Sequence, residues 1–138
     1  MASKMLETWQ QWIEAAREDL RLASTLLEEQ HDFYPPICFN SQQAVEKALK
    51  AFLYFHHVDE EFRGHHLDVL LGRCKKIDPL FDGLREPITI LDQYYVPTRY
   101  PDALAGMTAS GVYHEEEARE AVEYAEKVLE FVMERIKG

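Results

Sequence analysis

Residues 36–57 constrain this fold more than any other stretch of the chain. They read as one long helix entered at Pro35-Pro36, since a first-turn residue needs no N–H for intrahelical bonding. Ile37, Phe39, Ala44, Val45, Ala48, Leu49, Ala51, Phe52, Leu53, Tyr54 and Phe55 spread apolar surface over much of its circumference. A helix of that kind must lie centrally or be buried between two neighbours. Its polar residues concentrate from Asn40 to Lys47, with Lys50 beyond them.

The neighbours are legible as periodic stripes. Over residues 6–29, Leu6, Trp9, Ile13, Ala16, Leu20, Ala23 and Leu27 recur at the three- and four-residue steps of one helical face. Over 115–137, Ala118, Ala121, Val122, Ala125, Val128, Leu129 and Val132 form a second stripe. Glu115, Glu116 and Glu117 suit the positive end of that helix's dipole, and Lys137 suits the negative end. Shorter helices are predicted over 67–76 and 88–95, the latter entered near 84–87. Residues 58–64 read as a polar connector. There is no internal repeat and no strand hairpin pattern. The expectation is one all-α domain over 1–138, an antiparallel up-and-down helical bundle of four to five helices.

At 138 residues the chain can bury a sizeable core. No apolar run reaches the roughly 20 residues that cross a bilayer, and residues 1–6 lack the apolar stretch of a signal peptide. Cys38 and Cys74 fall inside helical segments without metal or redox spacing. A reduced, cytoplasmic protein is therefore expected. The net charge of −10, from 15 basic and 25 acidic residues, argues against a broad electrostatic grip on DNA or RNA. It is compatible with a basic protein partner.

The densest set of functional residue types is Tyr94-Tyr95-Val96-Pro97-Thr98-Arg99-Tyr100-Pro101-Asp102. Each proline forces extended backbone on the residue before it, at Val96 and Tyr100, so the segment should leave the helix there. Two readings stand. The strap is pinned to the bundle with its tyrosines packed and Arg99 paired to Asp102. Alternatively, Tyr95, Arg99, Tyr100 and Asp102 present an aromatic and cationic surface that stacks a nucleotide and forks its phosphate.

The second helix offers a further candidate. Glu46 and Lys50 stand four apart in the favourable order, and Gln43 and Lys47 share that spacing. They form either a solvated stripe or the lining of a cleft beside the strap. In the cleft, Lys47 and Lys50 would meet phosphate as point charges, and Gln43 would hydrogen-bond a base or a peptide edge. His56-His57 and His65-His66 flank the polar connector. Adjacent helical positions diverge by about 100°, so neither pair readily gives one ion two ligands, and structural or capping roles are the expectation. A single Glu28-x-x-His31 has no second copy to complete a di-metal site. No phosphate loop, nucleophile turn or Cys/His dyad is present. Neither a cofactor nor a metal is expected.

These segments together resemble the HEPN domain family. The resemblance is carried by Trp12, Ala16 and Asp19-Leu20; by Cys38-Phe39, Gln42-Gln43-Ala44 and Glu46-Lys47-Ala48-Leu49-Lys50-Ala51; and by His66-Leu67, Leu70-Leu71, Leu91-Asp92 and the strap. It covers nearly the whole chain. It implies a helical bundle, a homodimer, and a small stand-alone protein encoded beside a minimal nucleotidyltransferase, with a nucleotide as ligand. Many other HEPN proteins are metal-independent RNases, often toxins, marked by an Arg followed by a His after four to six residues. None of the eight arginines here has a His at that spacing. The missing pair would supply the base and the phosphate clamp. Its absence predicts a non-catalytic binding subunit, with Gln43, Lys47, Lys50, His66, Tyr95, Arg99, Tyr100 and Asp102 at its ligand site. The alternatives are a diverged RNase toxin of a toxin–antitoxin pair, working through His66 and Arg99, and a purely structural oligomer module.

Overall fold

In a computed structural model, residues 2–29, 32–58, 66–94 and 113–137 are described, with side chains from Trp9 to Ile136. The elements are α1 (Ala2–Glu28), α2 (Tyr34–Phe55), α3 (Leu67–Ile77), a 3-10 segment (Pro79–Leu84), α4 (Arg85–Asp92) and α5 (Glu115–Lys137). The described residues form an all-α bundle without a strand. No described helix is long and apolar enough to cross a membrane.

The apolar circumference of α2 decides the arrangement. Fourteen of its residues are buried, and it lies against α1, α3, α4 and α5. Against α1 the contacts run antiparallel. Trp9 meets Phe55 edge-on at 5.3 Å, Trp12 stacks on Tyr54 at 6.1 Å, and Asp19 pairs with Lys47 further back along α2. Against α5, the alanine stripe Ala118, Ala121 and Ala125 is fully buried, and small residues let helix axes approach closely. The far end is locked by aromatic rings. Phe52 of α2 lies 4.4 Å from Phe81 of the 3-10 segment, which meets Phe131 of α5 edge-on at 4.9 Å. Edge-on and tilted aromatic pairs of this kind add to the area they bury.

Helix ends differ from the sequence expectation where capping chemistry decides them. α2 starts two residues early, at Tyr34, because both prolines fit the first turn. It stops at Phe55 rather than at 57. His57 turns into the left-handed region with φ 61°, its N–H donates to the Tyr54 carbonyl, and the Val58 N–H reaches back to the Leu53 carbonyl. That pair of bonds is the Schellman stop usually built on glycine. The His56-His57 pair is thus structural. His56 packs on Phe52 at 4.5 Å, and His57 supplies the turn. α4 spans Arg85–Asp92, starting within the predicted entry at 84–87 and ending three residues short of the predicted 95. Pro87 falls in its first turn, where the missing N–H costs nothing. α3 runs one residue past the predicted 76, to Ile77, and α1 begins at Ala2 rather than at 6. α5 matches its predicted span.

The two cysteines sit in this core. Burial, with help from Glu117, pushes the Cys38 thiol up to about 12, and burial also raises Cys74, whose Sγ donates to the Leu49 carbonyl. Both are free and packed rather than reactive.

A left-handed His carries a steric cost of about 1 kcal/mol that glycine avoids. His57→Gly is therefore expected to raise unfolding stability by up to about that amount, and His57→Val to lower it, as read from the urea midpoint.

Candidate functional site

Gln42, Glu46 and Lys50 recur every four residues along α2, so they form one row on its surface. That row is buried, at 0%, 2% and 7% exposure. Buried charge is tolerated only when paired and hydrogen-bonded. The Lys50 ammonium donates to Glu46 Oε2 at 2.9 Å, and Gln43 Nε2 donates to Gln42 Oε1 at 2.8 Å and to Glu46 Oε1 at 3.4 Å. Lys50 Nζ also sits 5.2 Å from the Trp12 ring centroid, a cation–π contact in a partly dry setting. Lys47, on the flank of the row, donates to Asp19 Oδ2 at 2.6 Å. The row is therefore not the solvated stripe that spacing alone allows. It is a largely buried polar seam between α1 and α2, with the Trp12 ring beside Lys50.

The seam continues electrostatically to the entrance of α3. Asp92, the last residue of α4, accepts the Leu67 N–H at 2.9 Å and so caps α3 from outside. His66 occupies the cap position, yet its side chain makes no capping bond. Burial holds the Asp92 carboxyl above the ordinary carboxylate range. The Leu67 hydrogen bond opposes this, the Asp68 and Glu46 charges add to it, and His66 offsets part of it. Glu46, on a different helix, is the smallest of these influences.

The base of the strap is also fixed. Tyr94 and Tyr113 are both buried, and their rings meet edge-on at 5.4 Å. The two residues that flank segment 95–112 are therefore in contact, and both tyrosine hydroxyls are raised first by burial and then by the neighbouring Cys38. Cys38 stands two turns ahead of Glu46 on α2, on the order of 12 Å along the axis.

Of the predicted ligand residues, Gln43, Lys47 and Lys50 come together in the seam, and exposed His66 stands at the adjoining α3 entrance. Tyr95, Arg99, Tyr100 and Asp102 lie outside the described residues, as does His31 of the Glu28-x-x-His31 pair. Sequence reasoning missed Trp12, Asp19 and Asp92 as partners of this site. The signal for Asp92 was its place two residues before the tyrosine strap.

Removing one partner of a buried ion pair leaves the other uncompensated, at a cost of about 3–5 kcal/mol. Lys50→Met is expected to lose stability on that scale in urea titration. Adding Glu46→Leu should recover most of the loss, because an apolar pair of similar volume needs no countercharge.

Comparison with known proteins agrees with this geometry. Residues 9–136 match the HEPN domain, which spans the seam, the α3 entrance and the strap. A protein of Methanocaldococcus jannaschii named "Putative toxin MJ1304" is 32% identical over 135 residues, covering 91% of this chain and 86% of that protein. The crystal structure of TT1696 from Thermus thermophilus superposes with a TM-score of 0.79 at 37% identity, covering 91% of this chain and 96% of that one. ST0689, an archaeal HEPN homologue, gives 0.73 at 34% identity over 93% and 97% of the two chains. A HEPN domain protein of Thermotoga maritima, TM0613, gives 0.69 at 31% identity over 92% and 98%. With the family match covering nearly the whole chain and several relatives sharing the bundle, the protein belongs to the HEPN domain family.

Proposed function

We propose that this protein is the toxin of a toxin–antitoxin pair and that it cleaves RNA without a metal ion. The observation that carries the reading is the 32% identity with "Putative toxin MJ1304", which extends over nine-tenths of this chain rather than over a fragment. The chemistry needs a base and a phosphate clamp. His66, exposed at the α3 entrance, is the base. It takes the proton of a ribose 2′-hydroxyl, whose oxygen attacks the adjacent phosphorus. The 5′-oxygen leaves and takes a proton from solvent, and a 2′,3′-cyclic phosphate remains. Arg99, in the strap, forks the phosphate oxygens as charge builds on them. With Lys47 and Lys50 each held by a carboxylate, the clamp falls to the arginine. The acidic net charge fits a short, locally gripped single strand stacked on tyrosines rather than a long electrostatic track.

Induced expression is expected to arrest growth, and the purified protein to cut RNA with EDTA present. His66→Ala and Arg99→Ala should each lower the cleavage rate by about 100-fold or more, the usual scale for removing a general base. Intact RNA after long incubation, or mutants that cut as well as the parent, would sink the reading.

A second reading is favoured by one specific observation. None of the eight arginines is followed by a histidine at the spacing that marks the family's RNases. In this reading the protein is a non-catalytic homodimer that pairs with a minimal nucleotidyltransferase and holds a nucleotide at the strap. Thermal unfolding against nucleoside triphosphates, with and without magnesium, separates the two. A ligand at 100 times its Kd adds about 2.7 kcal/mol, a clear upward shift that Arg99→Ala should abolish.

A further inference from the structure

We infer that the groove between α1 and α5 receives a basic amphipathic helix of a partner protein. The two helices touch along their length and leave an open groove of about 550 Å³ between them. Its floor is apolar: Leu129 is buried, and Leu20 and Met133 are half-buried. Glu126, Glu130 and Glu134 line one wall, and all three are exposed. An apolar groove between two helices is a shape that a third helix fills with side chains at i, i+3, i+4 and i+7.

The three glutamates recur every four residues, so they stand in one column about 6 Å apart along the helix axis. The stability of α5 does not call for them. Like charges four apart destabilise a helix. Glu134 also falls in the last turn of α5, at the negative end of its dipole, where a carboxylate is unfavourable. Among the described residues none of the three is in an ion pair, whereas Glu115, further back on the same helix, is held by Arg119 at 2.9 Å. Of the described residues that line the groove, Arg17 alone is a cation. Its guanidinium lies 3.9 Å from Met133 Sδ rather than against a carboxylate, so the glutamate wall stays negative.

That unneutralised charge selects the occupant. A partner helix with Lys or Arg at four-residue steps beside its apolar stripe sets one cation against each glutamate. A second copy of this chain fits poorly. In a two-fold dimer the same face meets itself, which would bring two glutamate columns together. The net charge of −10 acts in the same sense, drawing basic partners and repelling copies. The inference goes beyond the ribonuclease reading and stands whether or not the chain cuts RNA, because none of the groove residues belongs to the site at the α3 entrance.

The test is fluorescence anisotropy of the purified full chain with a labelled synthetic peptide about four helical turns long, carrying a Leu stripe flanked by Lys at four-residue steps. A peptide of the same composition, scrambled to break the stripe, should bind at least about tenfold more weakly, since it cannot fill the apolar floor. The combined variant Glu126→Gln, Glu130→Gln, Glu134→Gln should weaken the striped peptide by about tenfold, the sum of three partly exposed ion pairs. Removing the same charge elsewhere, with Glu86→Gln, Glu116→Gln, Glu120→Gln, should change binding by less than about threefold, because salt screens distant charges. All of these positions are exposed, so both variants should keep the fold, which circular dichroism checks. The inference is overturned if the striped peptide does not bind the parent chain. It is equally overturned if the scrambled peptide binds as well, or if the control variant loses as much as the groove variant, since bulk charge would then suffice. If removing the groove glutamates changes the oligomeric state in sedimentation, the face joins copies of this chain and the inference fails.

Discussion

A carboxylate and an ammonium locked together inside the bundle, Glu46 with Lys50, set the terms for the rest of the molecule. α2 is the helix that every other described element leans on, and it carries this pair at its centre. Burying two charges is unfavourable unless their partners are built in. Gln43 therefore takes the second Glu46 oxygen, and the Trp12 face covers Lys50. Trp12 is itself held by stacking on Tyr54, which fixes how α1 lies along α2. An apolar pair of the same volume would do the packing work as well or better. The pair is therefore better understood through what it organises than through the stability it adds.

What it organises is a short chain of polar groups leading outward. Glu46 adds only weakly to the charge around Asp92, Asp92 caps α3, and His66 stands exposed at that helix entrance. Two residues beyond Asp92, Tyr94 meets Tyr113, so the two described residues that bound segment 95–112 lie together. The chain belongs to the HEPN family and is similar over most of its length to a protein named as a putative toxin.

The fold was largely legible from periodicity. The apolar circumference of α2 and the alanine stripe of α5 needed only helical spacing to be read, and both are buried as that spacing requires. Helix ends were less legible, because they turn on single residues acting against type. His57 adopts a glycine conformation, and Pro87 begins a turn it could not continue. At the site, spacing grouped Gln43, Lys47 and Lys50 on one helix but could not say whether water or protein covered them. That depends on Trp12 and Asp19, which arrive from α1, and no local pattern in α2 reports them. The link from His66 to Asp92 was invisible for the same reason, being formed only when α3 and α4 pack.

The central claim is that the proposed toxin activity depends on the Glu46–Lys50 seam holding α2 and its neighbours in place around the α3 entrance. The most direct measurement is growth of cells expressing either the parent chain or the Glu46→Leu, Lys50→Met double variant, with both soluble proteins at matched abundance and the same helical content. Arrest by the parent and near-normal growth with the variant are predicted. Arrest of equal depth by both chains would contradict the claim.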